Sequence, residues 1–149
     1  MRFLLFDSVA QITKGKSIVG VKCFSLTEEF LNRHFAQTPS VPGPLLIEAM
    51  AQLVGWLIIY SYDFRLSTFL ALVEDVRITP RLRPGFSAEI QGELISTSKR
   101  DSLGRARMVS AGREIASVGR IIYGHSDRVD PEELARRFAY YSGMRTDQQ

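Results

Sequence analysis

The longest apolar stretch of the chain runs over residues 44–61 and shows no amphipathic alternation. Its length predicts a helix, and its apolar side chains would then fall on nearly every face of that helix. Glu48 is the only charged residue in the stretch. Because a helix that is apolar all round is buried all round, the pattern predicts a central helix that other parts of the chain must cover.

The same stretch raises the alternative of a membrane span. However, it lies at the short end of the spanning range, and it contains the polar side chains of Glu48 and Gln52. We therefore favour a buried core helix and expect no insertion into a membrane.

Most of the remaining chain shows the pattern of β-strands. In residues 86–98 apolar and polar side chains alternate, which is typical of a strand with one buried face. Comparable runs predict further strands over residues 2–12, 17–26, 67–79, 104–111 and 114–123. Turn residues at Gly15 and Gly112 would join neighbouring strands into hairpins, and Gly85 would form the turn before residues 86–98. The pattern predicts an α+β fold, in which a curved antiparallel sheet of about six strands wraps the central helix.

The C-terminal part of the chain predicts a second helix. Asp130 can cap its start, Pro131 suits its first position, and Gly143 can end it. We expect residues 1–125 to form the main domain and residues 126–149 to form a C-terminal helical extension with a tail. The helix carries one apolar stripe that should pack on the domain or on a partner subunit, formed by Leu134, Phe138 and Tyr141.

Composition is ordinary for one globular domain. Of the 149 residues, 45% are hydrophobic and 23% are charged, which is enough to bury a real core. Cys23 is the only cysteine, so no internal disulfide can form and the cytoplasm is the expected location. No metal-ligand cluster accompanies this cysteine. The net charge of +3 is mild. Without a nucleic-acid motif it suits an acidic protein partner or an anionic substrate better than nucleic acid.

Two side chains are candidates for acid–base chemistry. Glu48 sits in an apolar run, where an ionised carboxylate is costly to bury unless it is paired or hydrogen-bonded. His34 opens the proline-rich loop that precedes the helix, and histidine exchanges protons near neutral pH. Gln52 lies one turn after Glu48 on the same helix face, so it could orient the carboxyl group.

The region around these residues resembles the signature of the β-hydroxyacyl-acyl-carrier-protein dehydratases. That signature reads H-F, then P-x-x-P-G, then E-A-x-A-Q, and the chain keeps every spacing. The similarity extends over about residues 3–122 and is closer to the FabZ type than to the FabA type, which has aspartate at the position of Glu48. The matching motifs are His34-Phe35, Pro39 with Pro42-Gly43, and residues 48–52.

The resemblance implies the hot-dog fold and a hydro-lyase without a metal or cofactor. Its substrate would be a 3-hydroxyacyl thioester on the phosphopantetheine arm of acyl carrier protein. Its product would be the trans-2-enoyl thioester, in fatty-acid or polyketide- and polyene-type synthesis. The resemblance also implies a homodimer in which one protomer contributes the histidine and the other the glutamate, and some relatives assemble into hexamers.

Each residue of the expected site then has a role. His34 would remove the proton from C2, Glu48 would protonate the departing hydroxyl, and the Gly43 N–H would stabilise the thioester oxygen. Gln52, Phe35 and Pro42 would support these three. Three arginines could dock the carrier protein: Arg77, Arg81 and Arg83. They fall at even spacings, so on extended backbone their side chains would share one side.

Two alternatives remain open at this point. The first is an acyl thioesterase of the same fold, in which a helix carboxylate activates water. The second is a catalytically degenerate subunit that binds acyl chains or pairs with an active partner. The second is motivated by departures from the family pattern, which has other residues at Arg33, Ala36, Gln37 and Pro44.

Overall fold

The computed structural model describes residues 4–28 and 38–144 of the chain. Within them it contains six strands and two helices. The strands are β1 Ser8–Thr13, β2 Ser17–Phe24, β3 Ser67–Ile78, β4 Phe86–Thr97, β5 Asp101–Ser110 and β6 Arg113–Ser126, and the helices are α1 Gly43–Ser61 and α2 Pro131–Ser142.

All six strands form one antiparallel sheet in the order β1-β2-β4-β5-β6-β3. The sheet curves around α1, which packs against β2, β3, β4, β5 and β6. This confirms the predicted fold, the hot-dog arrangement of a strongly curved sheet around one long helix. The two edge strands, β1 and β3, are not paired with each other, so a gap between them runs along α1.

Helix α1 forms the centre of the hydrophobic core. It is long and apolar enough to cross a membrane, yet ten of its 19 residues are buried within the protein. Leu46, Leu53 and Leu57 are completely inaccessible to solvent. The prediction of a core helix is therefore confirmed, and its apolar character is explained by the sheet around it.

Two strand glycines allow the sheet to approach α1 closely. A Cβ atom on Gly92 would lie 2.7 Å from Cγ2 of Val54, and one on Gly104 would lie 2.6 Å from Cγ1 of the same side chain. Such distances are well inside van der Waals contact. The middle of the sheet can therefore rest on α1 only because β4 and β5 carry no side chain at these positions.

The N-terminal segment differs from its prediction. A strand over residues 2–12 was expected, but β1 begins at Ser8, and Leu5 and Phe6 before it are both buried although they are consecutive. A strand places consecutive side chains on opposite faces, so it could not bury both against one core. Instead, the backbone N–H of Leu5 donates a hydrogen bond to the side chain of Gln52 on α1.

Helix α2 has the predicted ends. The Asp130 side chain accepts hydrogen bonds from the N–H groups of Glu132 and Glu133, and Gly143 ends the helix with a φ of 68°. Of the two partners expected for its apolar stripe, the structure shows the first, the domain itself. The ring of Phe138 lies 5.6–5.8 Å from three other rings, those of Trp56, Tyr60 and Phe64. The division of the chain after residue 125 stays a prediction.

Candidate active site

Glu48 lies on the stripe of α1 that faces the gap between the edge strands. Its side chain is half-buried, and its Oε1 accepts a hydrogen bond of 3.1 Å from Nε2 of Gln52. The spacing of four residues places both side chains on one helix face, as the sequence predicted. Glu48 has no charged neighbour on α1, because it is the only charged residue of that helix.

A backbone group determines how Gln52 is oriented. The Leu5 N–H donates to Oε1 of Gln52 at 2.9 Å, and a backbone N–H can only donate. The amide oxygen must therefore face Leu5, which leaves the NH₂ group to face Glu48. Since this NH₂ group donates to Oε1 of Glu48, a proton bound to the carboxyl group sits on the other oxygen, Oε2.

The N-terminus of α1 begins directly after Pro42, whose φ of −62° and ψ of 130° are extended. Gly43 is the first helical residue, where backbone N–H groups have no partner within the helix. A Cβ atom on Gly43 would lie 3.0 Å from Cδ1 of Ile78 at the end of β3. The preceding loop is held by a hydrogen bond of 2.8 Å from the Val41 N–H to the Leu82 carbonyl.

A pocket of about 260 Å³ opens beside Glu48. One wall is the gap-facing stripe of α1, and the other is formed by the adjoining ends of β3 and β6. The pocket is thus bounded by the helix on one side and by the β3 edge of the sheet on the other. Its lining consists of Glu48, Ala51, Gln52, Gly55, Trp56, Ile59, Thr68, Leu70 and Tyr123.

Tyr123 forms the floor of this pocket and does not titrate in the neutral range. Its hydroxyl donates a hydrogen bond of 2.6 Å to the Ala51 carbonyl. Burial first, and the negative charge of Glu48 second, raise the pKa of the Tyr123 phenol far above its ordinary value. The phenol therefore stays protonated and serves as a wall, and Glu48 is the one carboxyl group among the described residues that line the pocket.

The structure accounts for only part of the predicted site. Glu48 and Gln52 are brought together, and Gly43 and Pro42 lie at the start of the same helix. His34 and Phe35 lie outside the described residues, as do the departures Arg33, Ala36 and Gln37. Pro44 is exposed in the first turn of α1.

The three arginines do not share extended backbone as expected. Arg77 lies in β3, whereas Arg81 has a φ of 56° in the turn after the strand. A positive φ breaks the alternation of sides, so even spacing does not place these side chains on one face. All three remain exposed, and Arg77 makes a loose ion pair of 3.9 Å with Asp75.

Sequence reasoning missed the rest of the pocket lining. The helix residues could have been found from their spacing, because residues 48, 51, 52, 55, 56 and 59 repeat at the i, i+3, i+4 interval of one helix face. The strand residues Thr68, Leu70 and Tyr123 could not, since their approach to α1 depends on how strongly the sheet curves. Among the described residues, no group of three His, Cys, Asp or Glu side chains could hold a metal ion.

The link between Leu5 and Glu48 predicts the effect of Gln52→Leu. This change keeps a similar volume but leaves the buried Leu5 N–H without its acceptor, which costs about 1–3 kcal/mol. We expect a lower free energy of unfolding in urea and faster hydrogen exchange at the Leu5 amide. The control is Gln11→Leu, which alters an exposed glutamine on β1. Unchanged exchange at Leu5 would contradict the link.

The buried phenol predicts a pH dependence that Tyr123→Phe removes. Below pH 10 the wild type should be more stable than the variant by about 1 kcal/mol, because it has the hydrogen bond to Ala51. Above pH 10 the unfolded tyrosine ionises while the folded one stays protonated. The wild type should then lose about 1.4 kcal/mol per pH unit relative to the variant. Urea unfolding across this pH range measures the difference, with the exposed Tyr140→Phe as the control; a constant difference would refute the prediction.

Comparison with known proteins identifies the family of the chain. The family model described as the FabA-like domain matches residues 1–115. The chain is 32% identical over 123 residues to the 3-hydroxyacyl-[acyl-carrier-protein] dehydratase FabZ of Caldicellulosiruptor bescii, and the match covers 81% of this chain and 86% of that one.

Solved structures agree with the fold. The dehydratase heterocomplex ApeI:P from Xenorhabdus doucetiae aligns with a TM-score of 0.69 at 17% identity, covering 89% of each chain. A hypothetical thioesterase with coenzyme A from Streptococcus pneumoniae aligns with a TM-score of 0.64 at 11% identity, covering 83% of this chain and 88% of that one. At these identities the two structures establish the fold alone. By the family match and its FabZ relative, the chain belongs to the FabA-like family of hot-dog proteins, which includes the FabZ dehydratases.

Proposed function

We propose that the chain is a 3-hydroxyacyl-[acyl-carrier-protein] dehydratase, a lyase that converts 3-hydroxyacyl thioesters to trans-2-enoyl thioesters in fatty-acid or polyketide-type synthesis. The observation that carries the proposal is the Glu48 carboxyl group. It is held by Gln52 at one end of a largely apolar pocket. The FabZ relative from Caldicellulosiruptor bescii is named for this activity.

The reaction needs a base at C2 and an acid at the hydroxyl on C3. His34 takes the C2 proton, and the electron pair moves through the thioester carbonyl onto its oxygen. When the pair returns, the C2–C3 double bond forms and the hydroxyl leaves as water with the proton from Oε2 of Glu48. His34 is then protonated and Glu48 is ionised, so one proton passed back through solvent restores both.

The negative charge that develops on the thioester oxygen needs a hydrogen-bond donor. The Gly43 N–H suits this role, because it stands at the N-terminus of α1, where the helix dipole favours negative charge. Such a donor is worth about 3 kcal/mol of transition-state stabilisation. Pro44 has no N–H, so this helix start offers one donor fewer than a chain with another residue there. No metal or cofactor takes part in the steps we propose.

A homodimer with a shared active site is part of the proposal, and the β3 edge supports it. Four large apolar side chains on this edge strand are 38–57% exposed: Phe69, Leu70, Leu72 and Val76. An exposed apolar sheet edge favours pairing with another strand. Leu70 also lines the Glu48 pocket, so a partner along β3 would stand beside the site.

The substrate would arrive on acyl carrier protein in the cytoplasm. The exposed cations Arg77, Arg81 and Arg83 could attract an acidic carrier protein or the phosphate of its phosphopantetheine arm. Their different backbone conformations mean that they would contact the carrier as separate points rather than as one face.

The proposed roles predict the loss of turnover in two variants. With a 3-hydroxyacyl carrier substrate, His34→Ala and Glu48→Gln should each lower kcat by about 10²–10⁴-fold, because each removes one proton-transfer group. The controls are His125→Ala and Glu93→Gln, since His125 bonds Ser102 outside the pocket and Glu93 pairs with Arg105 on the exposed face. Formation of the enoyl product is followed by mass spectrometry of the carrier.

Other outcomes of this assay identify the alternatives. A thioesterase would release free thiol, which a thiol reagent detects, and would retain activity in His34→Ala. A degenerate subunit would show no turnover alone and would gain activity only with a partner subunit. Full activity in both variants would refute the proposed mechanism.

The shared site predicts complementation between the two inactive variants. His34→Ala and Glu48→Gln chains are co-expressed with different affinity tags, and the mixed dimer is purified over both. If each site uses residues from both protomers, one of the two sites is intact, and about half of the wild-type rate returns. A doubly tagged wild-type dimer is the control. If both residues came from one protomer, neither site would be intact and no rate would return.

A further inference from the structure

The pocket continues along α1 well beyond Glu48. Its helix wall passes from Glu48 through Gly55 to Ile59, and the rise between the first and the last of these residues is about 16 Å. Past Gln52 the lining is apolar except for Thr68 and the Tyr123 hydroxyl, which donates to the Ala51 carbonyl. A largely apolar pocket that extends along the helix from the proposed proton donor suits the hydrocarbon chain of the substrate.

Trp56 stands in the distal half of this pocket and is held from behind by α2. Its indole lies 5.7 Å from the ring of Phe138 and 5.9 Å from the ring of Tyr141, in an edge-on contact. Phe138 is only 6% exposed and also packs on Tyr60. The indole therefore cannot turn away from the pocket without displacing the aromatic side chains of α2.

Helix α2, whose aromatic side chains pack against Trp56, lies beyond the residues that match the family model. The match to the FabA-like domain ends at residue 115, whereas α2 is Pro131–Ser142. Helix α2 contacts β1 as well as α1, so it covers the β1 side of the gap along α1. The pocket on the other side of the gap is thus bordered by a helix that lies beyond the matched residues.

Resting on the proposed function, we infer that α2 limits the acyl chain length of the substrate by pressing Trp56 into the pocket. Trp56 is the specificity-determining residue, because it contacts the acyl chain. Phe138 and Tyr141 are positioning residues that act through it. Short and medium chains end before the indole, whereas longer chains have to displace it.

The test compares chain-length profiles of turnover and of binding. Turnover uses 3-hydroxybutyryl, 3-hydroxyoctanoyl and 3-hydroxydodecanoyl carrier protein. Binding uses S-alkyl pantetheine thioethers of matching lengths, which cannot react, in isothermal titration calorimetry. For the wild type we expect both kcat/KM and affinity to be lower for the twelve-carbon member of each series than for the eight-carbon member.

Trp56→Ala should raise kcat/KM for the dodecanoyl substrate relative to the butyryl substrate by about tenfold. Most of this change should appear in KM, since Glu48 and Gln52 are untouched. Phe138→Ala should shift the profile in the same direction by a smaller factor, because the indole remains but is no longer held. Trp56→Phe should keep part of the wild-type preference for shorter chains, because a smaller ring remains in the pocket.

Tyr140→Ala is the matched control. It removes the same kind of ring from α2, but at a position that is 80% exposed, and it should leave the chain-length profile unchanged. A loss of stability alone would lower activity on all chain lengths equally, so the ratio between lengths separates specificity from folding. Circular dichroism and thermal unfolding confirm that each variant is folded.

The two series keep this inference separate from the proposed function. Absence of turnover on every carrier substrate would refute the dehydratase. If the longer thioethers nevertheless bound more tightly to Trp56→Ala than to the wild type, the role of α2 would still be supported. Dehydration by the wild type with a length profile that neither Trp56→Ala nor Phe138→Ala changes would overturn the inference and leave the dehydratase standing.

Discussion

A helix that is apolar on every side has to be covered on every side, and this constraint determines most of the structure. One curved sheet covers the greater part of α1, but an open sheet has two edges that do not meet. The N-terminal segment and α2 cover the β1 side of the remaining gap. Among residues 4–28 and 38–144 nothing covers the β3 side, and that opening is the pocket beside Glu48.

The gap also explains where α1 can carry polar groups. A carboxyl group facing the sheet would be buried without hydrogen-bond partners, at a cost of several kcal/mol. On the gap-facing stripe, Glu48 has Gln52 as a donor, and Gln52 in turn has the Leu5 N–H. The irregular N-terminal segment therefore contributes to the site, because the Leu5 N–H is the donor that orients the Gln52 amide.

The sequence was sufficient for the fold and for the centre of the site. Periodicity predicted α1 and the strands, and residue spacing placed Glu48 and Gln52 on one face. It failed at Leu5 and Phe6, whose apolar run looked like a strand but leaves the sheet to meet Gln52. It also failed at Arg81, where a positive φ ends the alternation. Both failures concern bends of the backbone, which the alternation of apolar and polar residues does not encode.

The open side of the gap coincides with the least protected edge of the sheet. Strand β3 has an unpaired edge and several exposed apolar side chains, and one of them, Leu70, also lines the pocket. A second chain on β3 would satisfy the edge and cover the pocket at the same time. The pocket is narrowed from the opposite side by Trp56 and α2. In the proposed dimer, an acyl chain would enter past Glu48 and lie with its reactive carbons beside the proposed proton donor.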